Sequence, residues 1–209
     1  MKRAALGFRM HSGWGVLVAV AGGPDSIEIV ERRRIVVTDS QMPGAIQPYH
    51  HAANLEIQEA ESHIRNCAAV SEGIAIAAIE HVLHELDLRE YRIAGSAVLL
   101  ASGRPLPPLA KILAAHPLIH TAEGEFFRNS VRSACEQLQL PVETMRERDV
   151  EERVRAAFGT SADRLKKKVE SAGRAIGPPW TKDHKVAALA ALLMISREPA
   201  TRREVRQGT

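Results

Sequence analysis

Apolar residues near the start of the chain recur at every second position. Over 6–10 they are leucine, phenylalanine and methionine, separated by glycine and arginine, which is the period of a β-strand. The segment 14–21 is a valine-rich apolar run, typical of a strand buried on both faces. Because a short turn at 11–13 separates them, the two segments predict a hairpin. A third strand is expected over 27–37, with a bend at its three consecutive arginines.

Beyond the third strand the period becomes helical. Apolar residues recur every three or four positions as far as Leu86, which predicts one long amphipathic helix. We expect a break or kink in it at Gly73, because glycine lowers helix stability. The remaining predicted elements are a fourth strand over 91–101, a helix capped by Thr121, a fifth strand over 141–145, a short helix ended by Gly159, and a basic helix from Ala162.

The last predicted helix, over 185–196, is apolar on almost every side. A helix of that kind is buried against a broad surface such as a sheet. Three strands joined by turns, followed by alternating helices and strands, predict an α/β fold with a mixed five-stranded sheet and flanking helices. We expect one domain over 1–198 and a disordered tail over 199–209.

The positive charge of the chain is concentrated near its end. The formal net charge is +3, and the segment 160–209 holds eleven Lys and Arg against five Asp and Glu. Such a segment is suited to an acidic partner, with nucleic acid first among them. A solvated helix face followed by a basic tail is the alternative interpretation.

The sequence also bears on the cellular location of the protein and on the state of its cysteines. The sequence shows no signal-peptide pattern, and no apolar run suggests a membrane span, so a cytoplasmic location and no membrane partner are expected. Cys67 and Cys135 lie in helix-like, alanine-rich segments, and we expect two buried thiols in a reducing compartment rather than a disulfide.

Two short segments resemble a known family. The sequence Leu6-Gly7-Phe8-Arg9-Met10-His11 is similar to Leu-Gly-Ile-Asp-Pro-Gly, the opening strand of the RuvC-type Holliday-junction resolvases. The segment 183–190, Asp-His-Lys-Val-Ala-Ala-Leu-Ala, resembles their final helix. The resemblance implies a ribonuclease H-like fold, in which carboxylates from the first strand, the fourth strand and the last helix hold the catalytic metals.

Most of those carboxylates are missing here. The first-strand position carries Arg9, the end of the fourth strand (97–101) has no acid, and Val186 stands at the second aspartate of the last helix. Only Asp183 matches, and it is the one candidate catalytic residue. An arginine at a metal-ligand position would repel the cation. The resemblance therefore implies a ribonuclease H-like domain that has lost its usual chemistry.

The same resemblance places several side chains together. If the fold is right, Arg9, His11 and Trp14 at the end of the first strand meet Asp183 and His184 at the start of the last helix. An ion pair between Arg9 and Asp183 would then replace a metal site, either for folding alone or as part of a reused ligand pocket. We leave both interpretations open.

Histidines do not predict a metal site. The chain has nine, but Pro117 interrupts the spacing between His116 and His120, and neither cysteine is in a CxxC pattern. We therefore expect scattered surface histidines and no cofactor, with Mg²⁺ or Mn²⁺ required only if the chain hydrolyses phosphodiesters.

Binding rather than catalysis is the expected function. The proposed partner is nucleic acid or another acidic molecule, and the candidate binding residues are Arg9, His11, Trp14, Lys166, Lys167, Lys168, Lys182 and His184. One alternative is a divergent metal-dependent phosphodiesterase that combines Asp183 with acids near the fifth strand, such as Glu143, Glu147 or Asp149. Another is a scaffold that forms a homodimer through its alanine-rich helices. A sugar-kinase-like phosphate turn at 11–13 is a further option.

Overall fold

The computed structural model describes residues 1–196, so the expected tail and the last two residues of the predicted domain lie outside the described chain. Its centre is a mixed sheet of five strands: β1 (Lys2–Met10), β2 (Trp14–Ala21), β3 (Glu28–Val36), β4 (Tyr91–Leu100) and β5 (Val142–Arg146). The strand order is β3-β2-β1-β4-β5. The first three strands are antiparallel, whereas β4 and β5 run parallel to β1, which confirms the predicted architecture.

Helices cover both faces of this sheet: α1 (Pro48–Ala52), α2 (Ile57–Leu88), α3 (Leu109–Leu113), α4 (His116–Gln137), α5 (Val150–Phe158), α6 (Ala162–Ala175) and α7 (Lys182–Ile195). The long helices α2 and α4 pack against the face that carries Leu6, Phe8 and Met10 of β1. The opposite face, which carries Ala5 and the valines of β2, is covered by α7 together with α5 and α6. The two apolar cores thus follow the alternation of the strands.

The position of α7 depends on a small residue. The backbone carbonyl of Ala187 occupies the space that a Cβ on Gly7 would need. Because Gly7 has no side chain, α7 lies directly on β1, and its alanine-rich surface is buried almost completely. The sequence prediction of a final helix buried against a sheet is confirmed.

Three local expectations are wrong. The strand β3 does not bend at its arginines; its irregularity is a register shift opposite Ala19 and Val20. Helix α2 continues through Gly73, which is solvent-exposed and has no atom within contact distance of an added Cβ. Helix α4 begins at His116 rather than after Thr121, because Pro117 lies in the first turn, where its missing N–H costs no hydrogen bond.

Both cysteines are free and buried, as expected. Burial raises the pKa of the Cys135 thiol to about 11, so that residue acts as a small apolar side chain. Within the described chain, α2 is the single helix that is long and apolar enough to span a membrane, although no apolar run in the sequence suggested such a span. Its inner face packs on the sheet and α4, and one such helix is weak evidence for a membrane.

Candidate functional site

The candidate site lies where β1 and β4 end. These strands are parallel and adjacent, so their carboxyl ends meet at one edge of the sheet. Arg9 is the last residue of β1 whose side chain points toward α7, because it follows Ala5 and Gly7 at every second position. About one fifth of its side chain is exposed.

The contact between Gly7 and Ala187 sets what Arg9 meets. Two residues along a strand and one turn of a helix both span about 6 Å. Arg9 is two residues after Gly7, and Asp183 is four residues before Ala187 in a helix whose N-terminus lies at this edge. Arg9 Nη1 is accordingly 3.1 Å from Asp183 Oδ1, as the sequence analysis anticipated.

The guanidinium of Arg9 joins two carboxylates from distant parts of the chain. Its Nε donates to Glu147 Oε2 at 2.9 Å, opposite the contact with Asp183. Its Nη1 also lies 2.6 Å from His11 Nε2, which is 2.8 Å from Asp183 Oδ2. Asp183 lies in the first turn of α7, where the helix dipole favours a negative charge. Arg9 is therefore the cation at the centre of an acidic pair.

An aromatic stack flanks this pair. The rings of His11 and Trp14 are parallel, with centroids 4.3 Å apart and an interplanar angle of 13°. The guanidinium carbon of Arg34 lies 4.4 Å from the centre of the Trp14 ring, which is a cation–π contact. The stack fixes the hairpin turn beside Arg9 and adds a further positive charge at its rim.

A second arginine, which the sequence analysis missed, binds the same edge of the sheet from the side of α4. Arg128 of α4 donates to the carbonyl oxygens of Leu99 and Met10, each at 3.0 Å. Burial lowers the pKa of its guanidinium, whereas Glu125 opposes that shift. The ends of β1 and β4 are thus tied to α4 by a single side chain. No local pattern marks Arg128, since its partners are backbone atoms of distant strands.

A groove of about 920 Å³ opens from Arg9 between α5, α6 and α7. Seven lysine and arginine residues line it against four glutamates. Besides Arg9, the basic residues are Arg128, Arg148, Arg155, Lys166, Lys182 and Lys185. We refer to this surface as the Arg9 groove. Its excess of positive charge suits an anionic ligand.

The three consecutive lysines on α6 do not form one surface. Lys166 lines the Arg9 groove and pairs with Glu151 at 3.1 Å. Lys168 faces the other way and donates to the carbonyl oxygens of Pro24 and Asp25. Lys167 lines the same outer depression as Lys168. Because consecutive helical residues are about 100° apart, a run of three cannot point into one groove. Of these three candidate binding residues, Lys166 lies in the Arg9 groove, whereas Lys167 and Lys168 lie outside it.

His184 also faces away from the groove. It is buried at 6% exposure, and its ring is stacked on Trp180 with centroids 5.6 Å apart. Its Nδ1 accepts a hydrogen bond from the backbone N–H of Thr181 at 3.1 Å and lies 2.7 Å from the Thr181 hydroxyl. This is a capping box in which histidine takes the position usually held by glutamate or glutamine. We therefore remove His184 from the candidate binding surface. Lys182, by contrast, is exposed and lines the groove.

The acids suggested for a phosphodiesterase are held by arginines. Asp149 Oδ2 accepts from Arg146 Nε at 2.6 Å, and Glu143 Oε1 accepts from Arg153 at 3.1 Å. Of the three acids near β5, Glu147 reaches Arg9. A two-metal centre needs several carboxylates around cations about 3.5–4 Å apart. At this edge both Glu147 and Asp183 bind a guanidinium, so these residues do not fit such a centre.

Three histidines expected to be scattered instead lie together. His50 of α1 meets His116 and His120 of α4, and one nitrogen from each lies within 4.8 Å of the others. The expectation that Pro117 would separate His116 from His120 is wrong, since the helix continues through it. The signal in the sequence was the spacing of four between those two histidines.

Comparisons with known proteins support the fold. No protein-family model matches the chain, and no curated protein matches it by sequence. RuvC of Thermus thermophilus in complex with a Holliday junction substrate is similar in structure, with a TM-score of 0.52, 14% identity and coverage of 93% of each chain. A second structure of Thermus thermophilus RuvC gives a TM-score of 0.49 and 16% identity, over 92% of this chain and 93% of that one. The ribonuclease H-like fold and the resemblance to RuvC predicted from the sequence are confirmed.

Proposed function

We propose that this ribonuclease H-like domain binds nucleic acid in the Arg9 groove and does not hydrolyse it. The observation that carries the proposal is the guanidinium of Arg9, which lies between Glu147 and Asp183 at the carboxyl edge of β1. The positively charged side chain of Arg9 is thus in contact with both acids. Such a cation neutralises the carboxylates and leaves neither free to coordinate a metal.

The case for nucleic acid rests on charge and shape. The Arg9 groove carries more lysine and arginine than glutamate, and Arg148 and Lys182 extend from it into solvent with exposures of 72% and 86%. Exposed cations of this kind bind phosphates and release counterions from the backbone of a nucleic acid. The RuvC structure with a similar fold was solved with a Holliday junction substrate, which supports the same class of partner here.

Binding is expected to depend on phosphates rather than bases. Aromatic residues make up 4% of the chain, and Trp14 already contacts His11 and Arg34. Base stacking therefore contributes little, and affinity should fall steeply as salt is raised. Duplex, single-stranded and branched substrates share the phosphate backbone, so a comparison of their affinities measures any preference for shape.

The testing experiment is fluorescence anisotropy with labelled nucleic acids at several salt concentrations, with Mn²⁺ present. The test variant is Arg148→Glu/Lys182→Glu, which reverses two charges of the Arg9 groove. The matched control is Arg164→Glu/Lys167→Glu, which makes the same charge change on exposed positions of α6. We expect the test variant to lose about tenfold or more in affinity and its log–log salt slope to fall by about 0.9 for each lost phosphate contact.

Each outcome decides between the candidate functions. Equal losses in both variants, or no binding by the natural sequence, would reject the Arg9 groove as a nucleic-acid site. Cleaved products on a gel, dependent on Mn²⁺ and removed by Asp183→Asn, would instead establish the divergent phosphodiesterase. Intact products with selective loss in the groove variant would support binding without hydrolysis.

We also propose that the domain forms a homodimer through α2. The outer side of this helix exposes Val70, Gly73 and Ala77, a stripe of small and apolar residues that the described chain leaves uncovered. Light scattering after size exclusion should give twice the mass of one chain for the natural protein. The variant Val70→Glu should have the mass of a single chain. A monomeric natural protein would reject this part of the proposal.

A cytoplasmic location stays a prediction.

A further inference from the structure

A cluster of imidazoles lies away from the residues that line the Arg9 groove. His116 and His120 are one turn apart on α4, and their ring centroids are separated by 4.4 Å. His50 projects from α1, with its ring centroid 5.7 Å from His116 and 4.8 Å from His120. One nitrogen of each histidine lies within 4.8 Å of the other two. Two separate helices thus bring three imidazole nitrogens close together.

The three nitrogens lie within 4.8 Å of one another, which is wider than their spacing around a bound metal. Nitrogens on a tetrahedral Zn²⁺ at about 2.0–2.1 Å are about 3.3 Å apart. Both His116 and His120 are exposed, so small rotations of their rings would close the remaining gap. His50 is half-buried and supplies the fixed point of the cluster.

A buried carboxylate, that of Glu123, orients the ring of His50. Glu123 is 6% exposed, and its Oε1 accepts the backbone N–H groups of Tyr49 and His50 at 2.8 and 3.0 Å. The same oxygen lies 3.2 Å from His50 Nδ1. If Nδ1 carries the proton and donates it to Glu123, then Nε2 has its lone pair free for a cation. Metal-binding histidines are commonly held in this way by a second carboxylate.

Hydrogen bonds within the described chain satisfy only one of the two carboxylate oxygens of Glu123. Its other oxygen, Oε2, is buried and has no hydrogen-bond partner among the described residues. A negative charge buried against histidines is stabilised when they share a positive ion.

We propose that His50, His116 and His120 bind a divalent transition metal such as Zn²⁺, with Glu123 as the positioning residue behind His50. Three imidazoles suit Zn²⁺, Cu²⁺ and Ni²⁺, whereas Mg²⁺ and Ca²⁺ require oxygen ligands. With three protein ligands, a fourth position remains for water or an external ligand. The site does not depend on the function proposed for the Arg9 groove, since the two share no residue.

Calorimetry with ZnCl₂ on the full chain, free of any histidine tag, tests the proposal. We expect one ion per chain with micromolar or tighter affinity, and a visible absorption band of low coordination number with Co²⁺. The variant His116→Ala/His120→Ala should lose at least about 100-fold in affinity. Its matched control is His81→Ala/His84→Ala, which removes two exposed histidines of α2 and should bind as the natural sequence does.

Glu123→Gln tests the positioning role. Glutamine can still accept the two backbone N–H bonds, so the fold should be kept, as checked by circular dichroism. The affinity for Zn²⁺ should fall about 10- to 100-fold while the stoichiometry stays at one. Absence of saturable binding by the natural sequence, or equal binding by His116→Ala/His120→Ala, would overturn the proposal. Unchanged affinity in Glu123→Gln would overturn the role of Glu123.

Discussion

The backbone carbonyl of Ala187 lies against Gly7, in the space that a side chain at this position of β1 would fill. This close approach is what brings Asp183 over Arg9, because one helical turn and two strand residues have nearly the same length. The geometry of the candidate site is therefore set two residues before the site itself. The absence of one methyl group on the strand determines which charges can meet at its end.

Gly7→Ala should destabilise the domain by about 1–3 kcal/mol or more, because the new Cβ forces α7 away from the sheet. The matched control is Gly124→Ala, inside α4, where an added Cβ would make only ordinary van der Waals contacts. That control should stabilise the domain by about 0.5–1 kcal/mol through helix propensity. Urea unfolding of both variants checks the contrast. Equal effects would show that α7 does not rest on Gly7.

Arg9→Asp should lower stability by about 2 kcal/mol or more, because three carboxylates then converge where a guanidinium had joined two. The cluster so formed, Asp at position 9 with Glu147 and Asp183, has the oxygen ligands that divalent cations prefer. We therefore expect Mn²⁺ to raise the melting temperature of this variant and to leave the natural sequence unchanged. Arg9→Leu, which adds no ligand, is the control. A similar response to Mn²⁺ in the natural sequence would contradict the argument that Arg9 replaces the metal.

The capping role of His184 predicts a pH dependence of stability. Burial, followed by the nearby charge of Arg32, lowers the pKa of His184, while Asp183 opposes the shift. Since the folded pKa lies below the ordinary value of about 6.5, the unfolded chain binds the proton more readily. The contribution is complete above about pH 6.5 and is lost as the pH falls from there through the folded pKa.

His184→Gln tests this dependence. Glutamine keeps an acceptor for the Thr181 N–H but does not titrate, so the loss of stability between about pH 7 and pH 5 should be smaller than in the natural sequence. Changing the exposed His81 to glutamine gives the control for the general effect of losing one histidine. Melting temperatures across the pH range provide the measurement. Identical pH profiles for His184→Gln and the natural sequence would reject the capping role.

The sequence predicted the fold well because its period is strong. The alternation over β1 predicts a strand and the apolar surface of α7 predicts a helix buried on a sheet, while the resemblance to RuvC predicts that Arg9 lies beside Asp183. The failures have a common cause. His50 and His120 are distant in sequence and meet in space, which is why the expectation of scattered histidines was wrong. Side-chain clustering requires tertiary geometry that a linear pattern does not contain.

Arg128 is another residue whose role depends on tertiary contacts that the sequence does not reveal. Its guanidinium donates to the carbonyls of Met10 and Leu99 at the ends of two parallel strands. Arg128→Met keeps the length of the side chain and removes both donors. Because hydrogen bonds from a charged group contribute about 1.5–3 kcal/mol each, the loss of both should lower stability by about 3–6 kcal/mol. Arg132→Met, at an exposed position one turn later on α4, should lose less than about 0.5 kcal/mol. If both variants unfold at the same urea concentration, Arg128 does not hold the edge of the sheet that positions Arg9.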